Sequence, residues 1–280
     1  MSHPLIECKN CGNHFHGKYC NECGEKVYDQ KDKSIVHILE EVFHFISHFD
    51  GSFFKTLKTV LITPGKMSSD YSNGIRKKYF KPVSFFLLLV VAYLLFPKFQ
   101  GLNMKFSAYV TAQYRYSWFA APVAAYKIKA EHTTGYELGA LYDHISPAIA
   151  KFCLLLLIPL CTVVISGLFI RSKKYFFDHF ILSVEVMSFF IFLFFLFMPL
   201  LALLVEKFIP TLNYLFYDGS WLWIFFKVIF GIYVTAAFRT FYKQAVWLSF
   251  LKAVLFYFVF SFGIQYVYNT VLYLLIMLFI

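Results

Sequence analysis

Charge is what this 280-residue chain has least of: only 15% of its residues are Asp, Glu, Lys or Arg, against 59% apolar and 22% aromatic. That scarcity excludes an ordinary soluble globule and makes the bilayer the solvent expected for most of the chain. Acidic groups are the rarer sign, 16 against 26 basic ones, for a formal net charge of +10. No long basic stripe interleaved with polar groups offers a nucleic-acid track. The basic residues gather around a few segments, so anionic lipid headgroups are the expected partner and nucleic acid is not. The opening residues, MSHPLIECKN, lack the charged, apolar and small-residue succession of a secretory signal, the pattern expected of an amino terminus that stays in the cytosol. No Ser/His/Asp arrangement or nucleophile spacing asks to be read as catalytic, and an enzyme is not expected.

What is present begins with thiols. CKNCGNHFHGKYCNECGE, residues 8–25, places Cys8, Cys11, Cys20 and Cys23 as two C-x2-C pairs eight residues apart, with Gly12 and Gly24 after the second cysteine of each. Two intervening residues let both thiolates of a pair reach one ion, and a glycine there can take the positive φ of a metal knuckle. Four thiolates close a tetrahedral shell, so the expectation is a structural Zn2+ in a ribbon spanning 1–28, with His14 and His16 as loop residues. Two disulfides or a redox pair form the alternative, disfavoured in the cytosol. A knuckle this small cannot bury enough core to fold alone, and the metal supplies that stability.

Residues 29–81 read as an amphipathic helical linker and a basic juxtamembrane segment. Apolar residues from Ile35 to Val60 recur at steps of three and four, with a break expected near Asp50-Gly51 and Ser34 as N-cap. His37, Glu41, His44 and His48 share another face, spaced to suit a second metal or simply solvated. TPG at 63–65 ends the element. There follows P-G-x5-Y-x2-G-x-R-x2-Y-x2-P, from Pro64 to Pro82, running into VSFFLLLVVAYLLF. With the four-cysteine knuckle, HFDGSFFKTL, YFFDHFILSVEVMSFF at 175–190 and FRTFYKQ at 238–244, this pattern resembles a bacterial family of multipass membrane proteins whose domain has no assigned function. The resemblance implies a polytopic fold in the bacterial cytoplasmic (inner) membrane and brings no catalytic residues with it.

Arg76, Lys77, Lys78 and Lys81 directly precede an apolar run, where basic residues stay on the cytosolic side. With Tyr79 they are candidates for binding a lipid headgroup. The fold class expected is an all-α polytopic membrane protein of about five spans: 82–97, 152–170, 180–205, 221–238 and one from about 245. Alternation puts the basic loops RSKK at 171–174 and RTFYKQ at 239–244 in the cytosol with the amino terminus, and the carboxyl terminus outside. Residues 245–280 are long enough for one extended span or for a bend near FGIQYVYNT. Within the membrane domain, 82–280, residues 98–151 form a mostly helical extracytoplasmic loop, with a capping box from Thr134 to Glu137.

Ionisable residues at membrane depth are functional suspects by default, here Glu185, Lys227 and Lys252, with Asp178 and His179 at the mouth of a span. Glu185 and Lys252 are at similar depth and suited to pair. Pro159 and Pro199 would bend helices in the outer halves of two spans. Two functions follow. One is a scaffold whose zinc ribbon docks a cytosolic protein. The other is a transporter or lipid-handling protein using Glu185 and Lys252, for which no inverted repeat is visible. His132, Glu137, Asp143 and His144 cluster loosely in the outer loop without a spacing that demands catalysis.

Overall fold

Two short strands open the chain in a computed structural model that describes residues 5–8, 11–17, 20–22, 51–76, 78–95, 102–111, 116–209, 211 and 221–280. Cys23, Lys77, and the face of His37, Glu41, His44 and His48 lie outside the described residues. The chain divides into two units, Met1–Gly51 and Ser52–Ile280.

In the first unit β1 (Leu5–Glu7) pairs antiparallel with β2 (His14–His16), Ile6 opposite Phe15. Strand alternation puts Phe15 inside, while His14 and His16 take the exposed face. The turn between them closes as Cys8 N–H donates to Asn13 O at 2.8 Å and Gly12 N–H to Cys8 O at 2.8 Å. Gly12 has φ +74°, the left-handed conformation foreseen for a knuckle glycine.

The second unit is helical. Its elements are α1 (Gly51–Ile62), α2 (Lys66–Ser72), α3 (Pro82–Leu94), α4 (Phe106–Val110), α5 (Ser117–Glu131), α6 (Gly135–Cys153), α7 (Leu157–Leu168), α8 (Phe176–Ile191), α9 (Met198–Phe208), α10 (Trp221–Tyr242), α11 (Val246–Gly263) and α12 (Asn269–Phe279). Several boundaries follow local chemistry. α1 stops before Thr63-Pro64-Gly65, and α3 starts with Pro82 at its first position, where a missing N–H costs nothing. α6 opens with the expected capping box: Glu137 N–H donates to Thr134 Oγ1 at 3.2 Å and Thr134 N–H to Glu137 Oε2 at 2.8 Å.

Four helical runs are long and apolar enough to cross a membrane: Gly135–Leu168, Phe176–Phe208, Ile224–Tyr242 and Val246–Phe279. In the first, the helix announced by the capping box continues into the span expected at 152–170. α6 enters it from Gly135 and joins α7 through a 3-10 turn at Leu154–Leu156. That tighter turn precedes Pro159, which has no N–H to continue the ladder. The expected first crossing is the shorter apolar helix α3, 13 residues, or about 20 Å. Phe192–Phe197 widens to a π-helix just before Pro199, giving the proline ring room against the preceding turn.

The carboxyl-terminal run is one helix with a π-helical turn at Ile264–Tyr268, where the sequence left open a bend. A π turn leaves a carbonyl without its usual partner, and tyrosines supply donors. Tyr116 OH donates to Gln265 O at 2.5 Å and Tyr109 OH to Asn269 O at 3.3 Å. Tyr273 OH adds a bond to Ala120 O at 2.7 Å and Tyr268 OH one to Ala150 O at 3.0 Å. The stretch expected outside the membrane is thereby fastened to the last helix.

Candidate functional site

Two groups of residues carry chemistry. In the first unit the Sγ atoms of Cys8, Cys11 and Cys20 lie within 4.8 Å of one another, with Cys11 and Cys20 at 3.6 Å. Zn–S bonds of about 2.3 Å in a tetrahedron put neighbouring sulfurs about 3.8 Å apart, close to the Cys11–Cys20 separation, and the three thiols could hold one ion. Asn13 Nδ2 donates to Asn21 Oδ1 at 2.9 Å and approaches Cys20 Sγ at 4.0 Å, an outer contact of the kind that orients a thiolate ligand.

The second group lies where the juxtamembrane segment meets the bundle. α2 has no side-chain cap of its own, and its first N–H groups are satisfied from a helix more than a hundred residues away. Glu185, fully buried on α8, accepts from Gly65 N–H at 2.8 Å through Oε1 and from Ser68 N–H at 2.8 Å through Oε2. Ser68 Oγ also donates a short hydrogen bond to Oε2. One carboxyl group thus does for α2 what an N-cap side chain does locally. Gly65 makes this approach possible, with φ +77° and a backbone pressed against α10: a Cβ there would lie 2.5 Å from Ala237 O.

Asp70, one turn further along α2, is the hub of the loop that follows. It is buried and accepts from Lys66 Nζ at 2.7 Å, Tyr79 OH at 2.7 Å and Lys78 Nζ at 3.1 Å. Burial by itself would raise its carboxyl, but hydrogen bonds from Lys66, Tyr79 and Lys78 and the Lys66 charge outweigh it and hold the group at about 2. Burial, with the bond to Asp70, raises the Tyr79 phenol above its ordinary value, so it stays a donor. Thr56 ties in α1, accepting from Phe80 N–H at 2.8 Å.

A pH prediction follows. A carboxyl depressed from 3.8 to about 2 contributes stability that is fully present above the unfolded value and lost as pH falls through the folded one, about 2 kcal/mol in all. Melting temperature in detergent should therefore stay flat, as far as Asp70 governs it, from pH 7 to about 4 and fall between about 4 and 2. Asp70→Asn should remove that component of the acid slope. An identical slope in the variant would show that Asp70 does not carry it.

The sequence candidates are placed as follows. Of the headgroup set, Tyr79 is buried against Asp70, and Lys78, part-exposed, reaches the same carboxylate. Arg76 stays exposed, its guanidinium 5.2 Å from the Tyr71 ring centroid and 5.9 Å from that of Phe177. Lys81 is exposed at the start of α3. The Glu185–Lys252 pair does not form: Lys252 Nζ instead sits 4.0 Å from the centroid of Phe169, whose ring stacks on Tyr242 at 3.6 Å. Asp178 caps its own helix, accepting from Tyr175 N–H at 3.0 Å, and His179 Nδ1 meets Tyr242 OH at 2.6 Å. Lys227 faces outward from α10. In the 98–151 stretch, Asp143 accepts from Phe106 N–H at 2.7 Å and Glu137 closes the capping box, so both hold structure.

Sequence reading took Gly65 as a helix stop within a motif and did not single out Ser68 or Asp70. Besides the Pro64-Gly65 pair, the signal available was Asp70 itself, a lone acidic residue in a basic segment.

The family model described as "Protein of unknown function (DUF3667)" matches residues 50–94, the stretch that contains α1, α2, the Asp70 loop and α3. No curated protein and no solved structure matches the chain.

Proposed function

We propose that the protein is a non-enzymatic membrane scaffold of the bacterial cytoplasmic membrane, whose amino-terminal ribbon, closed by Cys8, Cys11, Cys20 and Cys23 around a structural Zn2+, docks a cytosolic protein. α3 supplies a fifth crossing, the ribbon and juxtamembrane segment are cytosolic, and the carboxyl terminus is outside.

The observation that carries this reading is the use made of Glu185. Its two oxygens are occupied by Gly65 and Ser68, so the one fully buried acidic side chain among the described residues fixes the juxtamembrane helix to the bundle. A buried carboxyl group committed to such a contact suits a fixed membrane anchor rather than a moving transport element. The orientation is supported by Lys174, whose Nζ donates to Ser72 Oγ at 3.1 Å and lies 4.9 Å from the Phe241 centroid. Three segments assigned to the cytosol by their basic residues meet at that lysine. The alternative, transport or lipid handling through Glu185 and Lys252, has no observation in its favour, because the two side chains serve separate contacts.

The test is affinity purification of the full chain in mild detergent, with elemental analysis and mass spectrometry, beside a Cys20→Ser/Cys23→Ser variant. One zinc per chain in the wild type is expected, and in the variant both the zinc and a specific co-purifying protein should be lost while the bundle still reaches the membrane. Zinc loss with an unchanged set of co-purifying proteins would sink the docking role, and a wild type without zinc would sink the ribbon.

A further inference from the structure

A groove of about 580 Å³ runs along the outside of α10 and the first turns of α11. Its floor is made of small residues. Gly231 has nothing within 4 Å of where a Cβ would stand, and Thr235 Oγ1 donates to Gly231 O at 2.8 Å, so its polar atom is satisfied within the helix. Its walls are Val228, Ile232 and Phe250, which are 52%, 64% and 59% exposed although they lie in runs apolar enough to cross a membrane. Arg239 lines one end.

The dimensions and the chemistry agree on one occupant. From Val228 to Arg239 the helix rises about 16 Å, and half of a bilayer's hydrocarbon core is about 15 Å. The groove therefore reaches from headgroup level, where Arg239 stands near the end of its span, to about the mid-plane, the depth of one acyl chain. Among the described residues Arg239 makes no ion pair, and exposed Lys243 follows one turn on. We infer that this groove holds one acyl chain of an anionic phospholipid whose phosphate is met by Arg239. A second copy of the chain fits less well. Closed two-fold packing of parallel α10 helices on this face would bring Arg239 against its own symmetry mate, like charge on like charge. The site is separate from the Arg76 segment and does not depend on which side of the membrane its Arg239 end faces.

The test is native mass spectrometry of the full chain, stripped of lipid by extended detergent washing and then titrated with dioleoyl phosphatidylglycerol or dioleoyl phosphatidylcholine. One phosphatidylglycerol per chain should be retained in preference to phosphatidylcholine. Arg239→Gln, an exposed position that leaves the fold intact, should lower that preference about fivefold. Gly231→Leu, which fills the floor, should lower retention of both lipids, with Ile232→Ala as a control that widens the groove and keeps binding. Equal retention of the two lipids by the wild type would overturn the inference, as would a preference unchanged in Arg239→Gln, which places the lipid at other basic residues. A wild-type dimer that binds no lipid and dissociates in Gly231→Leu would assign the groove to a second copy instead.

Discussion

Glu185→Ala is expected to lower the apparent melting temperature of the detergent-solubilised chain by on the order of 10 °C, the larger part of the stability that holds α2 in place. Among the described residues the substitution removes the only acceptor for Gly65 N–H and Ser68 N–H and one of two for Ser68 Oγ, all buried. A buried donor left without a partner costs about 1–3 kcal/mol, and two in one place, with the hydroxyl bond lost beside them, sum to about 3–5 kcal/mol once partial relaxation is allowed. Glu185→Gln should fall between: its amide oxygen can still accept from one of the two N–H groups, but its NH2 then faces the other, donor against donor. Ser68→Ala loses only the hydroxyl bond and should cost about 1 kcal/mol. The order Ala, then Gln, then Ser68→Ala is the signature of a capping role. If Glu185→Gln is as stable as wild type, Glu185 does not cap α2, and the scaffold reading loses the observation that carries it.

Gly65→Ala is expected to be about as damaging, for a steric reason. Its Cβ would stand 2.5 Å from Ala237 O and 2.9 Å from Ala237 Cα, backbone atoms of α10 that cannot rotate aside. The left-handed backbone adds about 1 kcal/mol of strain, and the displacement of α2 from α10 would pull its N–H groups from Glu185 as well, for a total of about 3 kcal/mol or more. Gly74 separates the two effects. It has φ +88° and nothing within 4 Å of a Cβ, so Gly74→Ala should show the strain alone. Equal losses at the two positions would mean that close packing on Ala237 contributes nothing. Because Gly65 and Glu185 act through one contact, the double substitution should cost clearly less than the sum of the singles.

Much of the architecture was legible because it rests on local information. Apolar run length indicated the spans from Phe176, Ile224 and Val246, proline chemistry placed the start of α3, and Thr134 with Glu137 announced α6 four residues at a time. The spacing of Cys8, Cys11 and Cys20 indicated a thiolate cluster before any geometry was known, since two-residue gaps dictate which sulfurs can share an ion. The continuity of the Gly135–Leu168 run was not legible for the converse reason. α6 carries a polar first half that reads as a loop domain, and only its continuity with α7 shows one helix.

The candidate site divides along the same line. By itself the sequence determined that Glu185, Lys252 and the basic run from Arg76 are unusual where they stand, because a charge beside or within an apolar run is costly wherever the chain folds. Their partners were decided only by the tertiary structure. Glu185 turns to residues 117 and 120 positions away, Lys252 to an aromatic face, and Lys78 with Tyr79 to Asp70. Helical periodicity says which face of a helix a residue occupies, whereas the donor that arrives at that face depends on how α2, α8 and α10 pack together, which no local pattern encodes.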